Sequence, residues 1–260
     1  MYEYETVVVE RHDHVAVVSL NRPDSLNAFT SQLCAELLLA VNEVNMDDNI
    51  RVAILTGAGR AFSAGADLKE SLAPGVSVKD QLNNEYKPIL MAITDAPQPW
   101  ISAVNGAAAG IGSAFVMNCD LTVMAENAYI YQAFTAISLI PDGGATWHLV
   151  HTLGRKRAYE MIVSGEKVTA AKCLELGLCN RVVAADTLLQ ETLAWAQELA
   201  SKAPLSLRYA KAALNDAIQN NVADTISNEA ELQHICITSD DAREGVSAFM
   251  QKRAAAWKGC

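Results

Sequence analysis

Asp142 has a sequence context that could support acid–base chemistry. It stands in segment 140–146, between Pro141 and the pair Gly143 and Gly144. Proline restricts one backbone dihedral and the glycines free the next ones, as in a tight loop. A carboxylate in such a loop can face a pocket and act as a base. Aspartate is also a preferred N-cap, so capping of the following helix stays open as an alternative.

Two other stretches, 60–70 and 105–114, are rich in small residues, and each follows a strand-like segment and leads into a helix-like one. Free N–H groups at such turns can face a developing negative charge. Tight packing of a turn or helix explains the same composition equally well. Gly110 and Gly112 lack the third glycine of a dinucleotide fingerprint, because position 115 is Phe, so a Rossmann site is discounted.

Other reactive side chains lack a supporting pattern. Ser113 is not part of a G-x-S-x-G motif, which argues against a hydrolase nucleophile. His148 and His151 have a spacing that could bind a metal, but no acidic third ligand is evident, so a solvated or packed pair is favoured.

Composition narrows the class of protein. The formal net charge is −10, which disfavours nucleic-acid binding. Six scattered cysteines without a C-x-x-C pair indicate idle thiols in a reducing compartment and no zinc. No apolar run reaches about 18 residues, and segment 1–10 is neither basic nor apolar, so we expect a cytoplasmic protein without membrane span or signal peptide.

The elements that must position these residues alternate between strand-like and helix-like in the first half of the chain. Strands are predicted at 6–10, 15–20, 52–56, 101–104, 121–124 and 129–131. Thr30 is predicted to cap a helix whose apolar face is Leu33, Leu37, Val41 and Val44. From about 188 four helices are predicted, with breaks near 203–204, 220–221 and 239–240, and no strand after 183. This alternation predicts an α/β fold with a helical C-terminal region.

Short motifs along essentially the whole chain resemble the crotonase (enoyl-CoA hydratase/isomerase) superfamily. They are Leu-Asn-Arg-Pro at 20–23, Leu-Asn-Ala at 26–28, Ala-Gly-Ala-Asp-Leu at 64–68, Ala-Val-Asn-Gly at 103–106, Asn-Cys-Asp-Leu at 118–121, Leu-Ile-Pro-Asp-Gly-Gly at 139–144, Leu-Gly-Arg at 153–155, the stretch from Ala-Ala-Lys at 170–172 to Gly-Leu at 177–178, and Glu-Gly-Val-Ser-Ala-Phe at 244–249. Each motif is modest alone, but their order and spacing are specific.

The resemblance implies a spiral of ββα turns at 1–200 that carries an acyl-CoA site, and a helical oligomerisation region at 201–260. It implies a homotrimer, or a hexamer made of two trimers. The substrate would be a coenzyme A thioester, with no separate cofactor and no metal.

The resemblance also assigns site residues. The oxyanion hole would be the backbone N–H groups of Ala66 and Ile111, where Ile replaces the glycine usual in hydratases. Coenzyme A would contact Ser25, Leu26, Ala64, Asp67 and Leu68, with Lys69 as a phosphate partner. Phe249 and Lys252 would reach the adenine end in a neighbouring subunit.

The sequence departs from the hydratase pattern at both catalytic glutamates, since those positions hold Ala114 and Phe134. Asp142 matches the single acid of peroxisomal-type enoyl-CoA isomerases and of the ring-opening isomerase of phenylacetate breakdown. An isomerase is therefore favoured, with Ala114 and Phe134 lining its pocket. One alternative is a hydratase-type lyase that uses another acid, such as Glu70 or Glu85. The other is a non-catalytic or RNA-binding protein of this fold, and the net charge of −10 argues against RNA binding.

Overall fold

The computed structural model describes residues 3–260, so the first two residues of the segment considered for a signal peptide lie outside the described part. In this part of the chain, ten strands form two sheets. They are β1 (Val7–His12), β2 (Val15–Leu20), β3 (Val52–Gly57), β4 (Ala61–Ser63), β5 (Trp100–Val104), β6 (Ala107–Ala109), β7 (Leu121–Ala125), β8 (Tyr129–Tyr131), β9 (Lys167–Thr169) and β10 (Arg181–Val183).

The larger sheet has the order β1-β2-β3-β5-β7-β10, and the smaller has the order β4-β6-β8-β9. Successive pairs of strands (β3 and β4, β5 and β6, β7 and β8) place one strand in each sheet. All neighbours are parallel except β1 with β2 and β8 with β9. This repetition is the predicted ββα spiral, and the predicted fold class is confirmed.

Ten α-helices complete the described chain. They are α1 (Ser31–Asn45), α2 (Val78–Gln81), α3 (Lys87–Thr94), α4 (Ile111–Asn118), α5 (Ala145–Ser164), α6 (Ala170–Glu175), α7 (Leu188–Ala200), α8 (Pro204–Ala217), α9 (Val222–Thr238) and α10 (Asp240–Gln251). The Thr30 cap is confirmed, since its side chain accepts from the Leu33 N–H at 3.2 Å. The predicted apolar face of α1 is buried throughout.

The expectation of a helix directly after the 60–70 stretch is wrong. The next helix, α2, begins only at Val78. Between them, Pro74 and Gly75 interrupt the chain, and Gly75 has a positive φ of 83°. Both residues are poor helix formers, so this segment runs as an exposed connection.

The core lies between the larger sheet and its helices. Strands β3 and β5 are buried along their whole length, which explains their continuous apolar sequences. The four C-terminal helices and their predicted breaks are confirmed. In the described part of the chain, none of the helices is both apolar enough and of sufficient length to cross a bilayer.

Candidate active site

The first turn of the site follows β4 and leaves one backbone donor free. The Phe29 N–H donates to the Gly65 carbonyl at 2.8 Å, and the Asp67 N–H donates to the Phe29 carbonyl at 2.9 Å. In this parallel bridge Phe29 bonds only the two neighbours of Ala66. The Ala66 N–H therefore has no acceptor among the described residues, and Ala66 is exposed.

The side chains of Asn27 and Ser63 hold this turn in place through hydrogen bonds. Neither residue was identified as a site residue from the sequence. The Asn27 side chain donates to the carbonyls of Ala58 and Ala61 at 2.9 and 2.8 Å. The Ser63 hydroxyl donates to the Asn27 carbonyl at 2.8 Å and accepts from the Gly65 N–H at 3.1 Å. Both side chains are fully buried. The available signal was the Leu-Asn-Ala motif at 26–28.

The second turn lies between β6 and α4. Gly110 has φ 52° and ψ −131°, a conformation open to glycine, and its N–H donates to the Tyr131 carbonyl at 3.0 Å. Ile111 is the first residue of α4, so its N–H precedes the intrahelical pattern. This N–H also has no acceptor among residues 3–260, and it lies at the positive end of the helix dipole.

The fold brings these two turns into contact. Strands β4 and β6 are parallel neighbours, so their carboxyl ends meet at one edge of the smaller sheet. A Cβ placed on Gly65 would lie 3.0 Å from the Ala109 carbonyl oxygen and 3.6 Å from the Gly110 Cα. Such closeness explains the small residues of both stretches, and it allows two free N–H groups to serve one anionic oxygen.

Asp142 reaches this edge on the loop before α5, and it does not cap that helix. The N-cap of α5 is Gly144, which has a positive φ of 83° and no side chain to bond with. The capping alternative is therefore wrong, because the helix begins two residues later than that alternative requires. Of Asp142, only the backbone carbonyl serves the helix start, accepting from the Ala145 N–H at 3.0 Å.

The loop backbone packs directly on α4. A Cβ on Gly143 would lie 2.5 Å from Ile111 Cδ1, 2.7 Å from Ala114 Cβ and 3.2 Å from Leu90 Cδ1. Gly143 also has a positive φ of 58°. Only glycine fits this contact, which holds the neighbouring Asp142 beside the second turn.

The Asp142 side chain is half-buried, and its two carboxyl oxygens differ in their surroundings. Its Oδ1 is inaccessible to solvent and has no hydrogen-bond partner among the described residues. Burial raises the pKa of Asp142 from its ordinary value to about 6. A carboxyl with this pKa exchanges a proton readily near neutral pH, which suits a general base.

Asn118 fixes the loop to α4, a role that was not assigned from its motif at 118–121. Its side-chain nitrogen donates to the Gly143 carbonyl at 3.0 Å and to the Ala114 carbonyl at 2.8 Å. Its side-chain oxygen accepts from the Thr94 hydroxyl at 3.2 Å. Asn118 therefore ties three elements together next to Asp142.

The two positions that hold glutamates in hydratases are apolar and buried. Ala114 is fully buried on α4 under the Gly143 loop. Phe134 is 6% exposed, and its ring Cζ lies 3.9 Å from the point where a Cβ on Gly110 would stand. Both predicted pocket residues thus border the second turn, and neither can transfer a proton.

Most of the predicted coenzyme A residues lie around the first turn. The Leu26 carbonyl accepts from the Ala64 N–H at 2.9 Å, and Ser25 is exposed beside it. The Asp67 carboxylate pairs with Arg22 at 3.1 Å and accepts from the Lys69 N–H at 3.1 Å. These bonds lower the pKa of Asp67, with the Lys69 N–H as the largest cause.

Asp67 therefore stabilises the turn through its side chain, so any contact with coenzyme A must come from its remaining exposed edge. Leu68 is 78% exposed and Lys69 is also exposed, so both are accessible to a ligand. Phe249, on α10, is 83% exposed, and Lys252 is the C-cap of that helix. Their assignment to a neighbouring subunit stays a prediction, because it concerns a second copy of the chain.

The side chains considered from the sequence as a possible nucleophile or metal ligands are explained by hydrogen bonds within the fold or by burial. The Ser113 hydroxyl donates to the Gly110 carbonyl at 2.6 Å and accepts from the Gln132 amide at 2.8 Å. Burial lowers the pKa of His148 to about 4, so it is neutral at pH 7. His151 bonds the Trp147 carbonyl. Residues 3–260 contain no group of three or more His, Cys, Asp or Glu side chains suited to a metal ion.

Comparison with known proteins agrees with this architecture. The enoyl-CoA hydratase/isomerase family model matches residues 10–260. The 1,2-epoxyphenylacetyl-CoA isomerase of Escherichia coli K12 is 35% identical over 249 residues, covering 94% of this chain and 95% of that protein. A Rhodobacter capsulatus protein named "Probable enoyl-CoA hydratase" is 36% identical over 250 residues, covering 96% of both chains.

The solved structures show the same fold. The crystal structure of enoyl-CoA hydratase from Bacillus anthracis superposes with a TM-score of 0.93 at 33% identity, covering 98% of this chain and 100% of that one. Paired strands that feed two sheets, followed by C-terminal helices, define a crotonase-fold protein. The chain belongs to the enoyl-CoA hydratase/isomerase family of acyl-CoA enzymes, which confirms the resemblance.

Proposed function

We propose that this enzyme moves the double bond of an enoyl-CoA, converting a 3-enoyl thioester into the 2-enoyl isomer. The observation that carries the proposal is Asp142: its side chain does not cap α5, and its Oδ1 is inaccessible to solvent and has no hydrogen-bond partner among the described residues. The next residue, Gly143, packs against Ala114 and Ile111, and the two positions of the hydratase glutamates hold Ala114 and Phe134. The name of the E. coli isomerase is consistent with such chemistry.

In the proposed reaction the Asp142 carboxylate removes a proton from C2 of the acyl group. The electron pair of the broken C–H bond delocalises through the C3–C4 double bond and the thioester carbonyl, forming a dienolate. The N–H groups of Ala66 and Ile111 donate to the enolate oxygen and form the oxyanion hole. Asp142 then returns the same proton to C4, so atoms and charge balance without a cofactor.

The names of several relatives, which are called probable enoyl-CoA hydratases, favour the hydratase alternative. Water addition needs one group that activates water and another that handles the α-proton. Of the alternative acids, Glu70 accepts from the Ser31 N–H at 3.0 Å, and Glu85 accepts from the Ser31 hydroxyl at 3.1 Å. Both carboxylates are thus engaged at the start of α1, which favours isomerisation by Asp142 alone.

Separate assays of Asp142→Asn with 3-enoyl-CoA and 2-enoyl-CoA test the proposal. We expect the wild type to isomerise the first and not to hydrate the second. The variant should lose about 10²–10⁴-fold in kcat with little change in KM, because asparagine is nearly isosteric but cannot take the proton. Wild-type kcat should fall as pH drops through about 6, where Asp142 protonates. Undiminished turnover by the variant would exclude Asp142 as the base.

We also propose that the C-terminal helices assemble the chain into a trimer or a hexamer. Helix α9 has no buried residue in the single chain, and its apolar side chains Ile226 and Ile237 are 59% and 58% exposed. Burial of such side chains by another copy would be favourable. Light scattering at micromolar concentration should give three or six times the 27.9 kDa chain mass. A stable monomer would contradict this assembly.

A further inference from the structure

Each N–H group of the proposed oxyanion hole shares a peptide unit with the carbonyl of the glycine before it. The Ala66 N–H belongs with the Gly65 carbonyl, and the Ile111 N–H belongs with the Gly110 carbonyl. None of the peptide bonds of the described chain is cis. In a planar trans peptide the N–H and C=O point in opposite directions. The donor that holds the glycine carbonyl therefore sets the direction in which the N–H points.

The two glycine carbonyls are held by different kinds of donor. The Gly65 carbonyl accepts from the backbone N–H of Phe29 at 2.8 Å. The Gly110 carbonyl accepts from the Ser113 N–H at 3.0 Å and, in addition, from the Ser113 hydroxyl at 2.6 Å. The first peptide unit is thus fixed by backbone alone, whereas the second depends partly on one side chain.

Gln132 extends this contact into the core. Its side-chain nitrogen donates to the Ser113 hydroxyl oxygen at 2.8 Å, and both side chains are fully buried. The Gln132 Oε1 is inaccessible to solvent and has no hydrogen-bond partner among residues 3–260. A buried acceptor without a partner costs about 1–3 kcal/mol, so stability of the fold is a poor explanation for burying this amide.

These bonds form a chain with one free end. Gln132 donates to Ser113, and Ser113 donates to the Gly110 carbonyl. The peptide unit of that carbonyl ends in the Ile111 N–H, which has no acceptor within the described part of the chain. In a low-dielectric interior each bond of such a chain polarises the next one. A carbonyl that accepts strongly therefore makes the N–H of its own peptide unit a better donor.

We propose that Ser113 and Gln132 are positioning residues of the reaction, which orient and polarise the peptide unit 110–111 so that the Ile111 N–H stabilises the enolate oxygen. Neither side chain touches the substrate, because both act through the Gly110 carbonyl. This inference rests on the oxyanion hole of the proposed function. It gives a role to two buried polar residues that proton transfer by Asp142 leaves unused.

Infrared difference spectroscopy of bound butyryl-CoA, isotopically labelled at the thioester carbonyl, measures this role. The carbonyl stretch falls in frequency when its oxygen accepts hydrogen bonds, and butyryl-CoA has no double bond to move. Ser113→Ala should lose about 30% of the wild-type frequency shift, the upper range for one bond acting on the next in a chain. Its kcat with 3-enoyl-CoA should fall about tenfold, less than the 10²–10³-fold cost of removing a donor outright. Its KM should change little, because the interaction strengthens as charge develops on the oxygen.

Gln132→Met removes the amide at similar side-chain length and should cause the same changes to a smaller extent. Because Gln132 acts only through Ser113, the double variant should match Ser113→Ala instead of adding the two losses. Ser102→Ala is the matched control, since the Ser102 hydroxyl is equally buried and bonds the Thr122 hydroxyl at 2.8 Å in the larger sheet. This control should keep the carbonyl shift and kcat of the wild type.

A Ser113→Ala enzyme with the wild-type carbonyl shift and kcat would overturn the positioning role, as would equal losses in Ser102→Ala. If Ser113→Ala does not fold, Gln132→Met decides by the same two measurements. Additive losses in the double variant would show that Gln132 does not act through Ser113. Absence of a carbonyl shift in the wild type would remove the oxyanion hole and this inference together. A normal shift in a wild type that isomerises no 3-enoyl-CoA would end the isomerase proposal alone, and the loss of shift in Ser113→Ala would still decide the positioning role.

Discussion

The two halves of the site are built differently. The half around Ala66 and Ile111 offers backbone N–H groups, which are held by sheet hydrogen bonds and by the buried side chains of Asn27 and Ser63. The other half offers a single side chain, Asp142, on a loop. Its position depends on glycine dihedrals and on one amide.

This difference has consequences for what each half tolerates. A backbone donor survives most side-chain changes, so Ile111 can replace the glycine usual in hydratases without loss of its N–H. A carboxyl is lost with a single substitution, as Ala114 and Phe134 illustrate at the hydratase positions. Such a site can keep its anion-binding half and change its chemistry by relocating the acid.

Among changes to the backbone half of the site, the largest effect is expected from Ala66→Pro, because proline removes the N–H donor itself. Loss of one donor should lower kcat about 10²–10³-fold. Ala66→Gly is the matched control and should stay near wild-type activity. Kinetics on both variants, with circular dichroism to verify folding of the proline variant, provide the measurement. Equal activities would place the backbone donor elsewhere.

A smaller effect is expected from Asn118→Ala, which removes the side chain that ties the Asp142 loop to α4 and leaves the backbone donors in place. Loss of the bonds to Gly143 and Ala114 should cost about 1–2 kcal/mol of stability. Because Asp142 would then be less well placed, kcat should fall about tenfold, the low end of what misplaced groups cost.

The matched control is Asn180→Ala, whose side-chain oxygen accepts from the Thr122 N–H at 2.8 Å on β7, away from the Asp142 loop. It should lose similar stability and keep its kcat. If both variants lose kcat equally, Asn118 has no specific role in positioning Asp142, and the loop half does not depend on that amide.

The last effect concerns the dependence of stability on pH and leaves the anion-binding half unchanged. Because the pKa of Asp142 is raised to about 6 in the folded state, the fold binds this proton more tightly than the unfolded chain, whose carboxyl titrates near the ordinary 3.8. The charged form therefore destabilises the fold increasingly as pH rises from about 4 to 6. Asp142→Asn should be about 3 kcal/mol more stable than wild type at pH 7.5, and this difference should shrink to about 0.5 kcal/mol at pH 4. Denaturant unfolding of both proteins at the two pH values measures this difference in the free energy of unfolding. If the difference is the same at both pH values, burial does not raise the pKa of Asp142.

Regular elements with strong patterns were predictable. Strands β2, β3, β5 and β7 are continuous apolar or β-branched runs, and they were placed to within about one residue. Strands β4, β6, β9 and β10 were missed, since each has only three residues, too few to show an alternating pattern. Strand β8 is equally short but was predicted, because its Tyr-Ile-Tyr sequence is entirely aromatic or β-branched. The pairing of such short strands is stabilised by neighbours distant in sequence, and it decides where the two turns meet.

The sequence alone determined the family, the alternation of the longer strands with helices and the absence of both hydratase glutamates, because these depend on residue identity and spacing. The tertiary structure alone decided that Asp142 does not cap α5, that the Gly65 and Gly110 turns touch, and that the Asp142 Oδ1 has no hydrogen-bond partner among the described residues. The physical reason is that burial, hydrogen-bond satisfaction and close backbone contact are properties of neighbours in space. Residues 66, 111 and 142 lie too far apart in the chain for local pattern to relate them.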